Sequence, residues 1–160
     1  YQHPEVKLVI TPHVIDENHL VEIIRKLKRP YVRYTRADEK NVRKADCLII
    51  DCFGLLSSIY RYGEIAYIGG GFGVGIHNTL EAAVYGIPVI FGPKYQKFQE
   101  AIQLLEAKGA FSVKDYEELK TLLDRMLTDE VFLRESGMNA SNYVTGNAGA
   151  TDKIMSMINF

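Results

Sequence analysis

The sequence predicts an α/β fold, with a central, mostly parallel six-stranded sheet covered by helices on both faces. Three observations carry this expectation. Six short apolar segments recur along the 160 residues. Most of the stretches between them place apolar residues at helical spacing. No internal repeat, low-complexity tract or apolar run of the roughly 20 residues needed to cross a bilayer breaks the alternation. Strands that are apolar throughout and separated by helices pair in parallel sheets whose two faces are both buried.

The elements follow in order. Val6 to Thr11 reads as a first strand. Leu20, Ile23, Ile24 and Leu27 then mark a helix with Asp16 as N-cap, and Pro30 ends it. Tyr31 to Thr35 is a second strand, and a charged connection leads to a third, Cys47 to Asp51. A short helix across Leu55, Leu56, Ile59 and Tyr60 stops at Gly63, ahead of a fourth strand, Ile65 to Gly69. After a glycine-rich loop come a helix near Thr79 to Tyr85, a strand from Ile87 to Gly92, a helix near Lys97 to Ala107 and a short strand, Ala110 to Val113. Two or three helices close the chain, one with Leu119, Leu122, Leu123 and Met126 on one face.

Composition bounds the function. With 47% hydrophobic and 24% charged residues and a formal net charge of −1, the chain can bury a core and is neither a disordered segment nor a nucleic-acid binder. Its length is that of one domain, residues 1–160. Cys47 and Cys52 are too few for a disulfide framework or a zinc site and read as reduced, buried thiols. Tyr1 to Glu5 do not resemble a signal peptide. The chain starts without Met, just ahead of a strand, so a piece of a longer protein is expected.

Charge placement locates the working region. Between Arg61 and Glu100 the only charged residues are Arg61, Glu64, Glu81, Lys94, Lys97 and Glu100, whereas the first 44 residues hold ten basic and six acidic ones. The glycine-loop region therefore forms the centre of the sheet. Ligands of open parallel sheets settle outside the carboxyl ends of the strands, here the loops after Thr11, Asp51, Gly69 and Gly92. The loop after the fourth strand carries Gly69, Gly70, Gly71, Gly73 and Gly75, then His77 and Asn78. It is not a Walker loop, because Ile76 and His77 stand where Lys and Ser or Thr are needed. Nor can a dinucleotide Gly-x-Gly-x-x-Gly be drawn through residues 69–78. What remains is a loop that brings backbone N–H groups to an anion and feeds a helix start. Glu81, one turn into that helix, would repel phosphate but can accept from a pair of sugar hydroxyls. Phosphate at Gly71, Gly73 and Gly75 with ribose at Glu81 describes a nucleotide. His77 either bonds within the loop or touches the phosphate. Asp51 reads as a holder of the loop that follows it and a cap for its helix rather than a catalytic group. Tyr60, Tyr62, Tyr67 and Tyr85 read as core or rim aromatics.

The segment Gly69 to Pro93, "GGGFGVGIHNTLEAAVYGIPVIFGP", resembles the signature of the Kdo (3-deoxy-D-manno-octulosonic acid) transferases. There a glycine-rich loop precedes His-Asn-x-Leu-Glu, a helix of small residues and Pro-Val-x-x-Gly-Pro. "TPHVIDE", "DCFGLLSSIYRYGEIAYIGG", "GPKYQKFQEA" and "GNAGAT" are similar to further elements of that family, in the same order. The resemblance implies a Rossmann-like, three-layer domain, the C-terminal donor half of a GT-B glycosyltransferase, with the N-terminal acceptor half absent from these residues. It implies CMP contacts at Pro12 and His13, at Gly54, Leu55 and Leu56, and at Asn78, Thr79, Leu80 and Glu81. Three positions depart from the pattern, with His13 for Arg, Leu55 for Glu and Lys97 for Asn. Lys94 and Lys97 face either Kdo or the acidic acceptor, or solvent. The implied substrates are CMP-Kdo and a lipid A precursor, reached by the full enzyme at the cytoplasmic face of the bacterial inner membrane. No metal or other cofactor is implied, and the general base belongs to the N-terminal half, so this piece alone should bind and not transfer. A UDP-sugar transferase or epimerase half and a non-catalytic nucleotide-binding module are the alternatives.

Overall fold

The computed structural model describes residues 3–157, in two compact units, Tyr1–Ser58 and Ile59–Phe160. In the first unit, β1 (Leu8–Ile10), β2 (Tyr31–Arg33) and β3 (Cys47–Ile49) form a parallel sheet in the order β1-β3-β2. The helix α1 (Glu17–Lys26) starts where the sequence placed it, with the Asp16 carboxylate accepting from His19 N–H at 3.0 Å. Its apolar stripe buries Leu20 against Cys47 and Ile49, with Ile23, Ile24 and Leu27 packed around them. A 3₁₀ turn (Tyr34–Arg36) and the four-residue α2 (Glu39–Val42) occupy the charged connection. Helix α3 (Leu56–Ile59) follows the third strand's loop.

In the second unit, β4 (Ala66–Ile68), β5 (Val89–Phe91) and β6 (Ala110–Ser112) form another parallel sheet with β5 central. Val89, Ile90 and Phe91 are all fully buried, as a strand covered on both faces requires. Val89 and Phe91 pack with Ala82 and Ala83 of α4 (Leu80–Ala83), Ala101 and Leu104 of α5 (Gln99–Glu106) and Ala140 of α7 (Glu130–Asn147). Ile90 packs oppositely, with Val113 and with Met126, Leu119, Leu122 and Leu123 of α6 (Tyr116–Thr128). Successive strand residues thus feed two helical layers, and each buried aliphatic side chain contributes about 1.5–3 kcal/mol. A third closing helix, α8 (Ala150–Met157), ends the described chain. Among the described residues no helix is long and apolar enough to cross a membrane.

Two expectations change. The single six-stranded sheet is replaced by two three-stranded ones, because apolar periodicity counts strands whereas backbone hydrogen bonds decide which edges pair. The helix expected over Thr79 to Tyr85 is shorter. Only Leu80–Ala83 is helical, and Val84 to Gly86 form a turn in which Gly86, at a φ of +70°, leads into Ile87 and Pro88 ahead of β5.

Candidate functional site

The glycine-rich segment is a loop folded onto itself and onto its neighbour. Gly73 and Gly75 N–H donate to the Gly70 carbonyl at 2.8 and 3.2 Å, and His77 N–H donates to that of Gly69 at 3.3 Å. Gly70 adopts a φ of +89°, and a side chain there would strike the Gly75 carbonyl. Gly71 is buried, and a Cβ on it would lie 2.6 Å from the backbone nitrogen of Gly92, the residue after β5. The loops leaving the paired strands β4 and β5 are therefore in backbone contact at the carboxyl end of the sheet, where the sequence placed the site. Lys94 fastens them: its N–H donates to the Gly71 carbonyl at 3.0 Å, and its Nζ to that of Gly73 at 2.8 Å. The Phe98 ring abuts Gly75.

This geometry modifies the expected anion cradle. Three of the loop's N–H groups face its own carbonyls, and a four-residue α4 has only a small dipole. The polar face is made instead by side chains. Asn78 and His77 are exposed, Glu81 is half-buried, and Lys94 and Lys97 are exposed on the adjoining loop. Asn78 Oδ1 accepts from Leu80 N–H at 2.9 Å, and its Nδ2 donates to Glu81 Oε1 at 3.0 Å. Thr79 is buried at the helix start, and Leu80 packs on the core. Burial first, and the Glu81 charge second, push the Tyr60 phenol above its ordinary pKa, so Tyr60 also senses the carboxylate. A groove of about 370 Å³ lined by Leu80, Glu100, Gln103, Tyr143 and Asn147 shares only Leu80 with the expected contacts.

The remaining expected residues belong to the first unit. β1 and β3 pair with Ile10 opposite Ile49, so the loops that follow leave the same edge of their sheet. Pro12 is half-buried and His13 exposed in one; in the other Gly54 is exposed at a φ of +87°, Leu55 is half-buried and Leu56, exposed, opens α3. Between them stands Asp51, its side chain 1% exposed. It accepts from Arg33 Nε at 2.8 Å, Thr35 N–H at 2.9 Å and Thr35 Oγ1 at 2.6 Å. Burial raises its pKa, but the Thr35 and Arg33 hydrogen bonds outweigh burial and bring it down to about 2. Asp51 therefore ties down the end of β2, not the loop and helix after it as expected, because Arg33 sits beside β3 in register with Ile49.

Sequence reasoning missed the Asn78–Glu81 pairing and the Lys94 clamp. The first had a signal: an asparagine three positions before an acid, at a helix start. The second had none, since it joins residues 21 apart through a backbone carbonyl. Among the described residues no three His, Cys, Asp or Glu side chains group as a metal site would need.

The 3-deoxy-D-manno-octulosonic acid transferase of Aquifex aeolicus is 37% identical over 125 residues, which cover 77% of this chain and 34% of that protein. The enzyme of the same description from Rickettsia bellii is 32% identical over 116 residues, covering 71% of this chain and 28% of its own length. The crystal structure of the C-terminal CMP-Kdo binding domain of WaaA from Acinetobacter baumannii matches with a TM-score of 0.76 over 89% of this chain and 76% of that one. At 17% identity that is a likeness of fold. No protein-family model matches. The chain belongs to the Kdo transferase family and spans about a third of the length of the relatives it matches.

Proposed function

We propose that this chain is the donor-binding half of an enzyme that transfers Kdo from CMP-Kdo to a lipid A precursor in lipopolysaccharide assembly. The observation that carries the reading is the Glu81 carboxylate, half-buried beside a rigid glycine loop at the carboxyl end of a parallel sheet. Glu81 accepts from the ribose hydroxyls of the nucleotide. The exposed loop side chains His77, Lys94 and Lys97 lie on the polar face that meets the phosphate and the acid sugar. As the bond from the anomeric carbon to the CMP phosphate breaks, negative charge grows on the phosphate, and the cationic side chains on this face stabilise it. No metal or other cofactor takes part. The general base that takes the acceptor's proton lies in the N-terminal half, with the acceptor site and the association with the cytoplasmic face of the inner membrane.

Calorimetric titration of CMP and UMP into the chain tests this reading. CMP is expected to bind the more tightly, with affinity unchanged by EDTA. Glu81→Ala is expected to weaken CMP roughly tenfold or more, as loss of hydrogen bonds to a charged group implies. A preference for UMP would transfer the reading to a UDP-sugar enzyme, and affinity unaltered by Glu81→Ala would remove the acid from the site.

A further inference from the structure

Glu81 lies in the first turn of a four-residue helix, and a glutamate there has three side-chain torsions free to turn toward solvent. One neighbour removes that freedom. Asn78 makes two hydrogen bonds at once, to Leu80 N–H at 2.9 Å and to Glu81 Oε1 at 3.0 Å. Their chemistry fixes the amide's orientation, since Leu80 N–H can only donate and an ionised carboxylate can only accept. Oδ1 must face the first and Nδ2 the second. The side chain expected to touch the nucleotide is thus held by its own backbone and by the acid, with the carboxylate held by one oxygen and Oε2 left to meet a ligand.

We propose that Asn78 is a positioning residue that acts through Glu81, presenting Oε2 to the ribose diol and thereby setting the preference for ribonucleotides over 2′-deoxyribonucleotides. This rests on the donor-binding reading above. A carboxylate already oriented in the free protein loses less conformational entropy when it accepts a hydroxyl, so the gain falls on the sugar contact and leaves the base and phosphate contacts alone. Capping of Leu80 N–H is a separate, structural role of the same side chain, and the two can be separated. Serine caps helix starts as well as asparagine does but is too short to reach Glu81.

The experiment compares CMP and 2′-deoxy-CMP binding to the parent chain, Asn78→Ser, Glu81→Ala and the double variant, with circular dichroism and melting confirming the fold of each. The parent is expected to favour CMP by roughly tenfold, and Asn78→Ser to reduce most of that preference while changing 2′-deoxy-CMP affinity less than about twofold. In the Glu81→Ala background Asn78→Ser should have no further effect, because its partner is gone. Equal weakening of both nucleotides by Asn78→Ser, or additive effects of the two substitutions, would overturn the positioning role while leaving the donor-binding reading standing. A parent that binds neither nucleotide would overturn both.

Discussion

Gly71 illustrates at the residue scale what the glycine-rich loop requires. A side chain there would lie 2.6 Å from the backbone of Gly92, so the two loops meet only because neither residue has one at the contact. Gly71→Ala is expected to destabilise the chain by about 1–3 kcal/mol, as overpacking of a tight contact does, and to weaken CMP binding with it. Thermal melting and a CMP titration check both effects. Asp51 gives a prediction in pH. Its folded pKa of about 2 lies below the ordinary 3.8, so the stabilisation is complete above about pH 4 and is lost as pH falls toward 2. The shift corresponds to on the order of 2 kcal/mol. Acid unfolding of the parent and Asp51→Asn should show that pH dependence only in the parent over this range. The sequence made Gly71 and Glu81 legible, through glycine density and an acid isolated in a charge-poor stretch. It could not show that Asp51 binds backward to Thr35 and Arg33, since that contact depends on which strand lies beside β3.

At the scale of elements, local signals and packing agree where caps are strong. Asp16, Asp115 and Asp129 accept from the N–H three residues on, at the starts of α1, α6 and α7. Asp115→Ala should lower stability by about 1 kcal/mol, measured by denaturant melting. Helix α4 lacks such a cap, since its N-cap Thr79 makes no side-chain hydrogen bond to the backbone. Its alanines pack beneath Val89 and Phe91 with no exposed surface, and the chain turns at Gly86 after little more than one turn, so the length expected from composition was too great. The expected cradle of N–H groups changes for the same reason. The loop's donors close on the loop, and Lys94 joins it to the next connection. Lys94→Met keeps the aliphatic stem and removes the donor, and is expected to weaken CMP binding more than it lowers the melting temperature. Equal affinity in Lys94→Met and parent would mean that the clamp does not shape the site.

For the whole chain, the alternation of strands and helices was readable because each strand's apolar run and each helix's stripe are local properties. Sheet membership was not, because three-residue strands carry no mark of their partner. The family was legible in the ordered motifs from Thr11 to Thr151, and relatives at 37% and 32% identity agree with it. Those relatives are about three times as long as the matched region, and the proposed chemistry divides accordingly, with donor binding in this part and proton removal elsewhere. Kdo transfer from CMP-Kdo by this chain alone is expected to be undetectable even where CMP binds, and measurable transfer would place the base within these residues.

The central claim is that nucleotide binds at the carboxyl ends of the strands, around Glu81. Amide chemical-shift mapping during a CMP titration tests it most directly. Perturbations are expected at 69–81 and 92–98. Perturbations confined to the groove between Gln103 and Tyr143, or none at saturating CMP, would contradict it.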